Sequence, residues 1–387
     1  LPEDILEQYA RYKSIKALKY NFSKISPLKI TNLLNKIEKS KKPLIIAGGG
    51  DWDKYGAKDL EHFANANKIP YAVSFRRQSI VNNNNNYYIG DLSTSVDPKL
   101  INSVKESDLI LVVGARLGEM TTGGYTTIKP NQKNKIIHVY PDKKELGKIY
   151  KPIIGIKANS SIFSKMIKYK KIKNIKWERW SNSCRKNYIE YSTPPKYSSE
   201  PDMGKIMLIL REYMPKNTII TIDAGNFSGW IQRFWKYTEV KTQLAPTSGA
   251  MGYSIPAAIS AKIAKKSTPV IAFCGDGGFM MSSQELATCN QYKIKPIIII
   301  INNKMLGTIR MHQEKHYPKR KIATDLVNPD FKVLSKSYNA HYENIKNHKQ
   351  FLKALKRSIA ANKAAVIEIE VDPQQITTRQ KMKDLNQ

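Results

Sequence analysis

A glycine-rich turn between a buried strand and a helix constrains this chain more than any other feature of its sequence. The apolar run 270–273 leads into Gly-Asp-Gly-Gly at 275–278. Residues 279–291 are predicted to form a helix, and the isoleucine-rich run 296–301 a second buried strand, followed by two asparagines at 302–303. Because the carboxyl ends of neighbouring parallel strands meet at one edge of a sheet, we expect the aspartate and the asparagines to lie together there.

The residue types at that edge suit a metal-bound diphosphate. Glycines let a ligand approach the backbone, and the helix that follows directs free N–H groups at an anion. A carboxylate, an amide oxygen and a diphosphate that meet at one point suit octahedral Mg²⁺. A lone Gly-Asp-Gly is usually an ordinary turn, but the complete combination of strand, turn, helix, strand and Asn-Asn predicts a magnesium–diphosphate site.

The same combination resembles the thiamine diphosphate enzymes of the acetolactate synthase-like family. Two further segments carry the resemblance: residues 244–258, LAPTSGAMGYSIPAA, resemble the family's segment around the thiamine ring, and residues 113–125, VGARLGEMTTGGY, resemble its central domain. The resemblance implies thiamine diphosphate and Mg²⁺ as cofactors and decarboxylation of a 2-oxo acid with carboligation, with pyruvate to acetolactate as the first expectation. A 2-oxo-acid decarboxylase, a carboligase of other specificity and a non-catalytic cofactor-binding half are the alternatives. The family also implies a homodimer or homotetramer.

For the metal and the diphosphate, the resemblance assigns roles to five residues. It places Asp276, Asn303 and the backbone carbonyl of Met305 on the metal. It places the backbone N–H groups of Gly277 and Gly278 on the diphosphate. Asn302, the first asparagine of the pair, is expected to serve the turn.

For the thiamine rings, the resemblance assigns Met251 to the wedge between pyrimidine and thiazolium, and the carbonyl of Gly249 to the aminopyrimidine. On spacing alone, Met251 would be a core residue. Asn226 and Phe227 stand where the family often has Gln and His, so Asn226 is either a phosphate donor or a turn and helix-cap residue, and Phe227 cannot donate. The other candidates are Gly275 and Leu306 for the cofactor, and Thr308, Ile309 and His312 for the substrate pocket.

No residue of the chain is assigned a catalytic role. His312 and Glu314 are acid–base candidates, but positions on a solvent-facing helix explain them equally well. In the family, the glutamate that activates the cofactor lies in an N-terminal pyrimidine-binding domain, and this chain begins with a segment that resembles the linker after it. The chain is therefore expected to be a fragment or one half of a split enzyme, inactive alone.

Alternating apolar strands and amphipathic helices predict an α/β fold with two doubly wound parallel-sheet domains joined by a helical linker. The predicted organisation is a linker at 1–26, a central Rossmann-like domain at 27–160, a linker at 161–200, a C-terminal diphosphate-binding domain at 201–372 and a mobile tail at 373–387.

The central domain contains a further candidate site. Residues 114–118 resemble a region that binds FAD in true acetolactate synthases and nothing in many relatives, which leaves FAD open. Arg76, Arg77 and Arg116 are candidates for a nucleotide phosphate or for a domain interface.

The chain is strongly basic, with 64 Lys and Arg against 32 Asp and Glu and a formal net charge of +32. Such a charge is typical of proteins with a polyanionic partner. The excess is mostly lysine, is spread along the chain and accompanies abundant Asn and Ile, as an AT-rich coding bias produces. Because no base-stacking platform or recognition helix is apparent, we expect no specific nucleic-acid partner.

Apolar runs and cysteines bear on the location of the protein. No run approaches the roughly 20 apolar residues that span a bilayer, and no signal peptide is apparent. The three cysteines show neither paired nor zinc-site spacing. The sequence therefore predicts a cytoplasmic protein without a membrane partner.

Overall fold

Two six-stranded parallel sheets organise the chain in this computed structural model, which describes residues 2–11, 25–130 and 135–385. The central strands are built from β-branched and other apolar residues and are buried along their whole length, as in strands that helices cover on both faces. Separate apolar clusters lie on the two faces of each sheet. The predicted α/β class with two parallel-sheet domains is confirmed.

The first sheet has the strand order β3-β2-β1-β4-β5-β6. Its strands are β1 (Pro43–Ala47), β2 (Tyr71–Ser74), β3 (Tyr88–Leu92), β4 (Leu109–Val113), β5 (Ile136–Tyr140) and β6 (Ile154–Lys157). The helices of this half are α1 (Glu3–Leu6), α2 (Pro27–Lys39), α3 (Lys54–Ala66), α4 (Pro98–Glu106), α5 (Glu119–Thr122), α6 (Ser160–Ile167) and α7 (Glu178–Tyr191), with a single 3-10 turn at Gln78–Ile80.

The second sheet has the order β11-β12-β10-β9-β7-β8. Its strands are β7 (Ile219–Ile222), β8 (Gln243–Leu244), β9 (Val270–Gly275), β10 (Ile297–Asn302), β11 (His341–Ile345) and β12 (Ala365–Glu370). The helices are α8 (Met203–Tyr213), α9 (Ser228–Phe234), α10 (Ser254–Ala264), α11 (Asp276–Ser282), α12 (Leu286–Gln291), α13 (Gly307–His316), α14 (Phe331–Ser337) and α15 (Phe351–Ala360), with 3-10 turns at Ser283–Glu285, His348–Gln350 and Met382–Asp384.

The prediction of one helix over 279–291 is wrong at its start and in its middle. Helix α11 begins at Asp276, directly after the extended Gly275, and ends at Ser282. A 3-10 turn over Ser283–Glu285 then separates α11 from α12. Adjacent serines favour such a break, since their hydroxyls compete for backbone hydrogen bonds.

The connector predicted at 161–200 contains most of α6 and all of α7, separated by a non-helical stretch at 168–177, and both helices pack on the first domain. Ile167 of α6 and Trp177, just before α7, are completely buried in the first core. The Tyr188 ring of α7 meets the Tyr88 ring of β3 edge-on at a centroid distance of 4.9 Å.

Hydrogen bonds in which at least one partner is a side chain join the two domains. The Gln78 backbone N–H donates to Gln243 Oε1 at 2.8 Å, and Gln243 Nε2 donates to Gln78 Oε1 at 3.1 Å. The Arg76 guanidinium donates to the carbonyl of Pro246, so this arginine serves the domain interface. Arg116 pairs instead with Glu145 inside the first domain, at 3.5 Å.

The segment after residue 372 is packed against the second domain, so the expectation of a mobile tail is wrong for its first part. Ile376 and Thr378 are buried. The Tyr197 hydroxyl and Arg233 Nη1 both donate to the carbonyl of Thr378 at 2.9 Å. The hydrophobic anchor is a single isoleucine, which gives no periodic signal in the sequence.

No helix in the described ranges has the length and apolar character needed to cross a membrane.

Candidate functional site

A cavity of about 300 Å³ lies at the carboxyl edge of the second sheet. It is lined by residues that follow β7, β9, β10 and β12, together with the loop before α10. All but one of the predicted site residues line it: Asn226, Gly249, Met251, Gly275, Asp276, Gly277, Gly278, Asn303, Met305, Leu306, Thr308 and Ile309. The structure therefore brings together residues from four separate segments, while their individual roles stay predictions.

Strands β9 and β10 are parallel neighbours with Ile301 opposite Gly275, which confirms the predicted common edge. The next residues, Asp276 and Asn302, are bridged by one side chain. Asn328 Nδ2 donates to Asp276 Oδ2 at 2.8 Å and to Asn302 Oδ1 at 3.1 Å.

The carboxylate of Asp276 fits a cation. It is 2% exposed, and burial raises its pKa. It forms no ion pair with any residue that the structure describes. A buried carboxylate without a positive partner is costly, and a bound metal ion removes that cost.

The surrounding donor set narrows the kind of cation. In the described part of the chain, no group of three or more His, Cys, Asp or Glu side chains could hold a metal ion. A cation at Asp276 therefore needs amide, backbone and ligand oxygens, which is the coordination that Mg²⁺ takes beside substrate phosphates. Asn303 and Met305 line the same cavity and offer such oxygens.

The turn after β10 shapes these ligands. Asn302 Oδ1 accepts from the Lys304 N–H at 3.1 Å, and Asn303 Oδ1 accepts from the Met305 N–H at 3.2 Å. Lys304 has a positive φ of 55°, which turns the chain sharply. This geometry supports the expected turn role of Asn302.

Two glycines in the first turn of α11, Gly277 and Gly278, leave space for a ligand and for neighbouring side chains. The N–H groups at the start of a helix have no intrahelical partner, so those of Gly277 and Gly278 are available to an anion. A Cβ at Gly278 would lie 2.5 Å from Asp223 Oδ2. A Cβ at Gly277 would lie 3.1 Å from Leu306 and 3.4 Å from the methyl of Met251.

Three apolar side chains converge over Gly277. They are Met251, Leu306 and Leu326, whose nearest atoms all lie within 3.4 Å of the position of an added Cβ. Such a cluster suits the flat, apolar edge of an aromatic ring. Leu326 was not predicted as a site residue, because it lies in an irregular loop after α13, outside the motifs that contain Met251 and Leu306.

Asp223 is a second carboxylate that the sequence reasoning missed as a functional residue. Its two oxygens accept from the Gly252 N–H at 2.9 Å and the Ser254 N–H at 2.6 Å. The loop that contains Gly249 and Met251 is thereby attached to the end of β7. The sequence did contain one indication of such a role: Asp223 comes immediately after the buried strand β7, as Asp276 comes after β9. Burial raises the pKa of Asp223.

Asn226 and Phe227 occupy the neighbouring wall. The Asn226 N–H donates to Thr308 Oγ1 at 3.0 Å, and Thr308 donates back to Asn226 Oδ1 at 3.1 Å. No side-chain hydrogen bond caps α9, which does not support the helix-cap alternative for Asn226. The Phe227 ring lies against Gly275 and Gly225.

His312 lies outside the cavity, contrary to the expectation for the substrate pocket. It is one turn farther along α13, on an exposed face, with its ring stacked on His316 at 6.0 Å. Only the first turn of α13 borders the cavity, because the helix then runs away from it. Glu314 is engaged by the Lys319 N–H at 3.1 Å.

The cavity also has walls that no motif indicated. Met203, at the start of α8, and Gln375 and Ile376, which follow β12, contribute to the lining. They come from distant parts of the chain.

Comparisons with known families match two segments of the chain. Residues 30–166 match the central domain of thiamine pyrophosphate enzymes, and residues 223–369 match the C-terminal TPP binding domain of the same enzymes. The second match covers the cavity-lining turns after β7, β9 and β10.

Several curated proteins are similar over most of the chain. A probable acetolactate synthase large subunit from Methanococcus aeolicus is 29% identical over an alignment 400 residues long, gaps included, which covers 96% of this chain and 66% of that protein. The corresponding protein from Methanocaldococcus jannaschii is 30% identical over 358 residues, 90% of this chain and 60% of that protein. Acetolactate synthase isozyme 2 large subunit from Escherichia coli (strain K12) is 25% identical over 341 residues, 87% of this chain and 61% of that protein.

The chain thus spans between three-fifths and two-thirds of the length of these relatives. Both parallel-sheet domains are accounted for by the family matches, and the cavity lies in the domain matched to cofactor binding. The chain belongs to the thiamine pyrophosphate enzymes, of which it carries the central and C-terminal domains.

Proposed function

We propose that the chain is part of a thiamine diphosphate- and Mg²⁺-dependent enzyme that decarboxylates a 2-oxo acid and transfers the remaining carbon unit to an acceptor. Conversion of pyruvate to acetolactate is the first candidate reaction. The observation that carries this proposal is the buried carboxylate of Asp276, which has no ion-pair partner among the described residues and lies beside glycine N–H groups and a cluster of apolar side chains. The printed names of the relatives, acetolactate synthase large subunits, support the choice of reaction.

In this proposal, Asp276, Asn303 and the carbonyl of Met305 hold Mg²⁺, and Gly277 and Gly278 donate backbone N–H groups to the diphosphate. When bound, the cofactor supplies a carbon nucleophile and an electron sink for decarboxylation.

The protein's own part is to position the rings and to exclude water. Met251, Leu306 and Leu326 form an apolar surface over Gly277 that keeps water from the reacting carbon. Thr308 and Ile309, at the start of α13, border the space left for a small 2-oxo acid.

The family resemblance implies that a glutamate activates the cofactor. In the described residues that line the cavity, the carboxylates are Asp276 and Asp372, and no glutamate is among them. We therefore propose that the activating glutamate comes from another segment or from a second polypeptide, and that these 387 residues alone do not turn over substrate. A homodimer or homotetramer agrees with that arrangement.

The central test of the metal assignment is the variant Asp276→Ala. With thiamine diphosphate at about 100 times its dissociation constant, the full-length protein should gain about 2.7 kcal/mol of stability in the presence of Mg²⁺. The variant should lose this gain, measured as the Mg²⁺-dependent shift in the unfolding temperature. Asp53→Ala, which removes a helix-capping carboxylate in the other domain, is the control and should keep the ligand-induced shift.

The reaction is tested by giving pyruvate to the full-length protein and measuring CO₂ and acetolactate together. One CO₂ per acetolactate supports the first candidate, and CO₂ without acetolactate supports a simple decarboxylase. Cofactor binding without turnover of any of a panel of 2-oxo acids would favour a non-catalytic subunit. Absence of thiamine diphosphate binding would overturn the proposal.

A further inference from the structure

A chain of hydrogen bonds leads away from Asp276 across β10 and β12 to β11. Asn328 donates to Asp276 and to Asn302, as described above. Asn302 Nδ2 in turn donates to Glu368 Oε1 at 2.6 Å, and the Tyr342 hydroxyl donates to the other oxygen of Glu368. Asn302 and Glu368 are 5% and 7% exposed, whereas Asn328 and Tyr342 are half-buried.

The two carboxylates fix the orientation of both amides. A carboxylate oxygen accepts hydrogen bonds and does not donate, so the Asn328 atom that faces Asp276 is the amide nitrogen. For the same reason, Asn302 turns its nitrogen toward Glu368 and its oxygen toward Asn328. Reversal of either amide would set oxygen against oxygen, so the network has one arrangement.

The backbone around Asn328 is held in place on both sides. Residues 324–326 pair with the metal loop 304–306: the Leu306 N–H donates to the Thr324 carbonyl at 2.8 Å, and the Leu326 N–H donates to the Lys304 carbonyl at 2.9 Å. After Asn328, the side chain of Asp330 caps α14. Asn328 therefore reaches Asp276 from a rigid segment.

We propose that Asn328 is a positioning residue for the metal site, which holds Oδ2 of Asp276 and so directs Oδ1 to the cation. The proposal rests on the proposed function, because it requires a Mg²⁺–diphosphate group at Asp276. Asn302 and Glu368 serve as the fixed support of Asn328. The same segment carries Leu326, so it joins the metal site to the apolar surface over Gly277.

The test measures how Mg²⁺ binds to the full-length protein at saturating thiamine diphosphate, by calorimetric titration. Removal of a residue that orients a metal ligand typically weakens metal binding by about 10- to 100-fold, so Asn328→Ala should raise the half-saturating Mg²⁺ concentration by that factor. Asn290→Ala is the matched control, because Asn290 is exposed on α12 and also bonds to another asparagine, at 3.2 Å. It should leave Mg²⁺ binding unchanged.

A second variant, Asn328→Asp, keeps the volume of the side chain but replaces the donor with a second acceptor beside Asp276. It should also weaken Mg²⁺ binding, and the electron paramagnetic resonance spectrum of bound Mn²⁺ should change in both Asn328 variants.

The outcomes separate the two proposals. Unchanged Mg²⁺ binding in Asn328→Ala, with normal binding in the parent protein, overturns the positioning role alone. Tighter binding in Asn328→Asp also overturns it, because residue 328 would then lie within ligand distance of the metal. Failure of the parent protein to bind Mg²⁺ with thiamine diphosphate overturns the proposed function, and the positioning role with it.

Discussion

At the scale of single residues, the site depends on glycines, which have no side chain, as much as on residues with functional groups. Gly278 is the sharpest case, because its missing Cβ leaves the space that Asp223 occupies. Gly277 similarly leaves space for Met251 and Leu306. The glycine motif therefore serves the packing of the loop that carries Gly249 and Met251, in addition to the proposed approach of an anion.

We expect Gly278→Ala to destabilise the protein by about 1–3 kcal/mol, because the added methyl group overlaps the Asp223 carboxylate. Thiamine diphosphate binding should weaken as well. The measurements are chemical unfolding, followed by tryptophan fluorescence, and a cofactor titration. Gly50→Ala is the control, since a Cβ there meets nothing within 4 Å, and it should be close to neutral. Equal effects of the two changes would contradict the steric explanation.

The motif could be placed in advance because its residues are close in sequence and follow strands of clear apolar character. Asn328 could not, because it lies 52 positions from Asp276 and belongs to an irregular loop. Only the pairing of that loop with residues 304–306 brings the amide to the carboxylate.

At the scale of helices and strands, the strands predicted at 270–273 and 296–301 agree with β9 and β10 to within two residues, whereas no strand was predicted for β3, β8 or β11. Strand β3 contains Gly90 and Asp91, β8 has two residues, and β11 begins with His341 and Tyr342. These strands are formed by pairing with a neighbour, which leaves no apolar run in the sequence. The functional edge was still predictable, since it lies at the ends of the central strands.

Asp223 links β7 to the loop that carries Gly249 and Met251, and this connection can be tested. In Asp223→Asn, one carboxylate oxygen becomes an NH₂ group that faces a backbone N–H, so one of the two bonds to Gly252 and Ser254 is lost. We expect a stability loss of about 1.5–3 kcal/mol, as for hydrogen bonds to charged groups, and weaker thiamine diphosphate binding. Unfolding curves and cofactor titration measure these effects.

Asp53→Asn provides the comparison for Asp223→Asn. Both backbone N–H groups at the start of α3 bond to one oxygen of Asp53, which an asparagine can retain. Asp53→Asn should therefore lower the free energy of unfolding only slightly. If Asp53→Asn lost much stability and Asp223→Asn lost none, the bonds from Asp223 would not be what holds the loop that contains Gly249 and Met251.

At the scale of the whole molecule, the interface between the domains contains buried ionisable groups. Burial raises the pKa of Asp91 to about 7, and Gln78 Nε2 donates to its carboxylate at 3.3 Å. Burial also lowers the pKa of Lys236 to about 6, and Lys236 Nζ donates to the Tyr188 hydroxyl at 2.6 Å. We therefore expect the association of the domains to respond to pH.

The sign of the Asp91 effect follows from its raised pKa. Between pH 3.8 and about 7, the folded protein holds a proton that the unfolded chain has released, so Asp91 makes the protein less stable as the pH rises. Asp91→Asn keeps an acceptor for Gln78 and has no charge to bury. It should match the parent protein near pH 4 and exceed its stability above pH 7, by at most about 4 kcal/mol. Unfolding temperatures measured from pH 4 to 8 check this, and a constant difference across the range would contradict it.

One wall of the cofactor cavity comes from Gln375 and Ile376, which follow the final strand of the sheet. Both sheets can therefore assemble before the pocket has its last side. During synthesis on the ribosome, we expect ligand capture to become effective only when this closing segment has emerged and docked. A nascent chain that stops near residue 372 would have its strands in place and an open, weakly retentive pocket.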